Sequence, residues 1–103
     1  MVTIKIGSGE QQLESLDEGW LLQQINRRRL DRHSVCVIVE IDESPINLIF
    51  ATKGCARGGG SSRAYTAQEQ RVIELWKKHH LDETEFQGGE LMAFLKQLRQ
   101  MVG

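Results

Sequence analysis

Val35-Cys36-Val37-Ile38-Val39-Glu40-Ile41, then Asp42-Glu43-Ser44-Pro45, then Ile46-Asn47-Leu48-Ile49-Phe50-Ala51-Thr52 is the stretch that decides the fold. Both flanks are rich in β-branched and other apolar side chains, which pack well on a pleated surface. The first flank is mostly apolar at both alternating sets of positions, the pattern of a central strand covered on both sides. Asp, Glu, Ser and Pro in succession mark a turn. A four-residue connection makes the two flanks an antiparallel hairpin.

Upstream, Val2-Thr3-Ile4-Lys5-Ile6 alternates apolar and polar with period two, a strand with one buried face. Gly7-Ser8-Gly9 ends it, because glycine tolerates the positive φ of a turn. Ser15-Leu16-Asp17-Glu18 fits a capping box and predicts a helix start. Leu21, Leu22 and Ile25 then share one helical face, with Leu16 and Trp20 at its margin. The helix fades through Arg27-Arg28-Arg29-Leu30-Asp31-Arg32, where late positive charge suits its C-terminus.

Downstream, residues 53–63 hold Gly58-Gly59-Gly60 and read as a mobile loop. A second capping box, Thr66-Ala67-Gln68-Glu69, opens a helix whose apolar side is Val72, Ile73, Leu75, Trp76 and His79. It ends near His79-His80-Leu81. Residues 82–86 form a connector and Gly88-Gly89 a break. The last helix runs from Glu90 to about Gln100 on a stripe of Leu91, Phe94, Leu95 and Leu98.

The expected fold class is therefore α+β, in β-α-β-β-α-α order: a small three-stranded mixed sheet packed by three helices. The first strand, helix and second strand make a right-handed parallel crossover, and the hairpin adds the third strand. One domain is expected over residues 1–103, with the sheet and first helix in 1–52, the glycine-rich loop in 53–65 and two helices in 66–103. Two strands apolar on both faces are hard for three short helices to cover. A large exposed apolar patch marks an interface, so a second copy of the chain is an expected partner.

Composition narrows the class further. The chain has 103 residues, 40% hydrophobic, 26% charged and 6% aromatic, with one proline, two cysteines and a net charge of −1. With the ten glycines the apolar share is about half, ordinary for a globular domain. No apolar run approaches the ~18–20 residues needed to cross a bilayer, so no membrane association is expected. The start, Met1-Val2-Thr3-Ile4-Lys5, lacks the basic and apolar regions of a secretion signal. Two cysteines do not make a disulfide scaffold. The expected location is the cytoplasm. Residues 1–52 carry five Lys/Arg against eight Asp/Glu, and residues 53–103 eight against six. That split is too small to argue for a nucleic-acid partner.

Candidate chemistry falls in four places. Lys53, Arg57 and Arg63 flank the glycine run, and amides with cations favour anions. The spacing fits neither G-x-x-x-x-G-K-[ST] nor G-x-G-x-x-G, so a plain connector is the simpler reading. Cys55 lies between Lys53 and Arg57, which would favour its thiolate. Strand, cysteine, glycine-rich loop, arginine and helix are similar in layout to cysteine-based phosphatases, but the arginine there stands six positions after the cysteine, where this chain has Ser61. Cys55 is thus a weak candidate nucleophile, and an incidental thiol is the better account. Cys36 reads as a small buried residue, paired across the hairpin from about Ala51 and beyond disulfide reach of Cys55.

Arg27, Arg28, Arg29 and Arg32 form the densest basic cluster, and with Lys53, Arg57 and Arg63 they could bind RNA or DNA weakly. On a helix they spread around the axis, and the last helix opens with Glu90 rather than with groove-reading side chains. His79 and His80 point about 100° apart on a helix and cannot clasp one metal, and no C-x-x-C is present. No metal or cofactor is expected. The leading expectation is a small non-enzymatic protein–protein interaction module, with nucleic-acid binding and an anion-binding or Cys55-dependent enzyme as alternatives.

Overall fold

The computed structural model describes residues 1–30, 35–50, 65–82 and 88–102. The chain is α+β. Strands β1 (Val2–Ile6) and β2 (Gly9–Gln12) are followed by a 3-10 turn (Leu13–Ser15) and helix α1 (Glu18–Leu30). Strands β3 (Val35–Ile41) and β4 (Ser44–Phe50) come next, then helices α2 (Ala67–Lys78) and α3 (Gly88–Val102).

The described sheet has four strands in the order β2-β1-β3-β4 and every pairing is antiparallel. This corrects the expectation of a three-stranded mixed sheet. The missing element was β2, whose sequence Gly9-Glu10-Gln11-Gln12 has no apolar alternation because it is a short polar edge. One extra reversal of the chain before α1 changes the direction in which β3 runs. What would have been a parallel crossover becomes an antiparallel β1–β3 pair, with Ile4 opposite Val39 and Ile6 opposite Val37.

Both hairpins close on two residues. Ile6 pairs with Gly9 across Gly7-Ser8, and Gly7 has φ 58°. Ile41 pairs with Ser44 across Asp42 and Glu43, at φ 48° and 70°. Two positive φ values in succession define a I′ turn, whose twist matches that of the strands. The expected four-residue turn was too long because Ser44 and Pro45 belong to β4. Pro45 is tolerated there for a geometric reason. In a two-residue hairpin the flanking pair exchanges both backbone hydrogen bonds, so Ser44, Ile46, Leu48 and Phe50 face β3, and Pro45, Asn47 and Ile49 face away. Asp42 N–H donating to the Met1 carbonyl at 3.1 Å fits the same alternation on the β1 side. Proline at an outward position of an edge strand costs no ladder bond.

Alternation also decides the core. Val35, Val37, Val39 and Ile41 of β3 and Ile46, Leu48 and Phe50 of β4 are buried, whereas Cys36, Asn47 and Pro45 are exposed and Ile38, Glu40 and Ile49 half-buried. Among the described elements, β3 and β4 are covered on one face, not on both. Described helices meet that face: α1 against β3, α2 against β4, and α3 against both helices. Leu21 and Ile25, Val72 and Trp76, and the stripe Leu91, Phe94, Leu95 and Leu98 join the strands in one buried cluster. Phe50 and Trp76 meet edge to face with ring centres 5.9 Å apart, a pairing worth about 0.5–1.5 kcal/mol beyond area burial.

Helix ends follow local chemistry. α2 starts as read, the Thr66 hydroxyl accepting from the Glu69 amide at 3.2 Å. It ends with His80 at φ 59°, His80 N–H donating to the Lys77 carbonyl and Leu81 N–H to that of Trp76. That double bond pattern is a Schellman motif with histidine in the position glycine favours. α1 begins later than expected. Ser15 lies in the 3-10 turn, and Asp17 caps instead, its carboxylate accepting from the Trp20 amide at 3.2 Å. Gly88-Gly89 opens α3 rather than breaking the chain, and a Cβ on Gly88 would stand 3.0 Å from Leu22 of α1.

Candidate functional site

The sheet face turned away from the helices is built by the even positions of β3 and the outward positions of its neighbours. Register places Cys36 opposite Ile49 and Ile38 between Lys5 of β1 and Asn47 of β4. Cys36, Ile38 and Ile49 thereby form an apolar patch two strands wide. On its β1 side stands a charged group: Lys5 Nζ lies 3.0 Å from a Glu40 carboxylate oxygen and 3.8 Å from that of Glu10. The hydrogen bond and charge of Glu40 hold the Lys5 ammonium above its ordinary value of 10.5. Partial burial pushes the Cys36 thiol up from 9.0, which leaves it less thiolate than a free cysteine. Cys36 is opposite Ile49 rather than near Ala51 because the turn is two residues shorter than expected.

The arginine cluster divides. Arg27 is exposed on the last turns of α1. Arg28 donates to the Gln24 carbonyl and to its side-chain oxygen at 2.9 Å, and its guanidinium covers Gly7, where a Cβ would collide with it. Arg29 is half-buried. Arg32, Lys53, Cys55, Arg57 and Arg63 lie outside the described residues. The described arginines diverge around the helix and do not form one phosphate-facing row.

His79 is the other notable group. It caps α2, is nearly buried, and its Nδ1 lies 2.9 Å from a carboxylate oxygen of Glu90 in the first turn of α3. Its Nε2, and Nε1 of Trp76 one turn earlier, have no hydrogen-bond partner among the described residues. His79 thereby links the end of α2 to the start of α3. A concavity between the β1 start, the 3-10 turn and the end of α3 has Arg99 in its wall. That guanidinium donates to the Leu13 and Leu16 carbonyls and the Glu18 carboxylate. Among the described residues no three His, Cys, Asp or Glu side chains stand close enough to hold a metal ion. No described helix is long and apolar enough to cross a membrane.

The open face was not singled out in the sequence, although its signal was there. Odd positions from 35 to 41 are Val, Val, Val and Ile, while even ones are Cys, Ile and Glu. Glu40 and Asn47 mark the wetter side of both strands. No family model, curated protein or solved structure matches the chain.

Proposed function

We propose that this chain is a small non-enzymatic module that binds a protein partner through the open face of its sheet. The observation that carries the reading is the patch of Cys36, Ile38 and Ile49, apolar and outside the helix-covered core, bordered by the Lys5–Glu40 pair. Apolar centres with polar rims suit protein recognition, where desolvated side chains give affinity and the rim gives orientation. Nucleic-acid binding has less support, because Arg28 is committed within the fold and the described arginines do not align.

The test is capture of partners by the wild-type protein and by Ile49→Lys, with Lys78→Ala on α2 as a control. Folding is checked for each by circular dichroism. A stoichiometric protein bound by wild type and the control but lost in Ile49→Lys supports the reading. A partner retained by Ile49→Lys, no protein partner at all, or salt-dependent binding to duplex DNA or RNA that Ile49→Lys leaves intact overturns it.

A further inference from the structure

The open face of the sheet is apolar on one half and charged on the other, and the charged half is acidic. Across the sheet the register sets Glu10, Lys5, Ile38 and Asn47 side by side, with Glu40 two residues beyond Ile38 on β3. Two carboxylates thus share one ammonium. Lys5 Nζ donates to Glu40 at 3.0 Å but stands 3.8 Å from Glu10, too far for a hydrogen bond. The Glu10 side chain is 64% exposed and makes no hydrogen bond among the described residues. One negative charge is left uncompensated, beside an apolar patch in which Cys36 is itself exposed.

The size of the face narrows what fits over it. Three strand spacings make it about 14 Å across, and Cys36 to Glu40 spans about 13 Å along β3, so its projected area is about 200 Å². A second copy of the chain resting on this face would bury far less than the ~800 Å² per partner of a stable interface. A single extended strand, ~5 Å wide, would cover about a third of the width. One α-helix, ~10–12 Å across with its side chains and ~16 Å long over three turns, matches both dimensions. Helices on both faces of a sheet are a stable layering, and the inner face of this sheet already has its own.

We propose that the protein partner presents to this face one amphipathic helix with an apolar stripe and a basic flank. The proposal rests on the reading of the open face as a protein-binding surface and names the chemistry of its occupant. Side chains four residues apart on a helix rise ~6 Å, close to the ~6.6 Å between Cys36 and Ile38 on one strand face, so a single stripe meets both. A lysine or arginine on the flank turned toward β2 meets Glu10 and supplies the positive charge that Lys5 alone does not. An acidic flank would bring a further carboxylate beside Glu10 and Glu40, and like charges set together across an interface reject a partner. The apolar patch holds the helix and the carboxylates select its charge.

The experiment titrates the whole isotope-labelled chain with two synthetic helical peptides that share one leucine stripe and differ only in its flank, lysines in one and glutamates in the other. Amide shifts at Ile38, Asn47 and Ile49 report binding at the face. The lysine peptide is expected to move those amides and to bind about tenfold or more tighter than the glutamate peptide, a preference that shrinks in high salt. Glu10→Lys weakens the lysine peptide about threefold or more, while Lys96→Ala on α3 leaves both peptides unchanged. Glu10→Gln is the second variant should Glu10→Lys fail to fold. Equal binding of the two peptides, preference for the glutamate one, shifts confined to other parts of the chain, or no binding of either overturns the proposal. Capture with Ile49→Lys separates that failure from failure of the module reading. A protein bound by wild type and lost in Ile49→Lys leaves the surface standing with a different occupant, and the absence of any such protein removes both.

Discussion

Arg99 of α3 secures the segment between β2 and α1, and its removal has a calculable cost. Nε donates to the Leu13 carbonyl at 3.1 Å, Nη1 to the Glu18 carboxylate, and Nη2 reaches the Leu16 carbonyl at 3.4 Å. Within the 3-10 turn the Leu13 carbonyl also accepts from the Leu16 N–H at 3.4 Å. Arg99→Met keeps the aliphatic stem and deletes the donors. The bond to Leu13 is worth about 1 kcal/mol. The longer contact to Leu16 adds little. The side chains of Arg99 and Glu18 are 31% and 32% exposed, so solvent screening reduces the ion pair to about 0.5–1 kcal/mol. The expected loss is about 1.5–2 kcal/mol, a fall in Tm of about 6–15 °C for a domain of this size. Urea titration of Arg99→Met, Glu18→Gln and the double variant measures the total and isolates the pair. The pair's coupling should shrink in high salt. A loss under about 0.5 kcal/mol, the range of ordinary surface substitutions, would refute the assignment of Arg99 as a tie between α3 and this turn.

Further outcomes follow from the turns, caps and titrating groups. Glu43→Gly replaces a strained φ of 70° with glycine in a I′ turn and should raise stability by about 0.5–1 kcal/mol, seen as a higher Tm; Glu43→Val should lower it. Thr66→Ala removes the α2 cap and should cost about 1 kcal/mol in chemical denaturation, while Thr66→Asp should retain most of it. Lys5 keeps its proton to higher pH folded than unfolded, so its contribution is complete below the unfolded value and is lost as pH rises through the folded one. NMR of the Lys5 side chain should give a midpoint above 10.5, and Glu40→Gln should bring it down. Cys36 should be alkylated in the folded protein, because it is exposed, but more slowly than a free thiol at neutral pH, because its thiolate is disfavoured; a faster rate contradicts its placement.

Much of the architecture was legible because local chemistry and tertiary packing agree. The Thr66 cap, the Leu91–Leu98 stripe and the hairpin around residues 42–43 each carry their pattern within a few positions. β2 did not, since a polar edge strand takes its identity from the neighbour it pairs with, and Gln11 and Gln12 carry no periodic signal. Missing it reversed the inferred direction of β3. The same hairpin shows a second limit. Ser44 and Pro45 have turn chemistry, yet the positive φ values fall on Asp42 and Glu43, and that shift of two residues moved Cys36 from Ala51 to Ile49. The open face was hidden by a uniform apolar run in which only Glu40 and Asn47 betray the wet side. Arg28 read as a binding residue because its sequence neighbours are basic, whereas its partners, Gln24 and Gly7, are visible only in three dimensions.

The strand order has a kinetic implication. Each hairpin joins residues a few positions apart, so β1 with β2 and β3 with β4 can assemble quickly by themselves. The two hairpins meet along β1 and β3, from Val2 opposite Ile41 to Ile6 opposite Val37, across thirty or more intervening positions. The entropy of closing that long chain loop is concentrated on this central seam. Zipping of β1 to β3 is therefore the step that sets the folding rate, and truncation of Ile4 or Val39 should slow refolding more than an equally destabilising change at either tip.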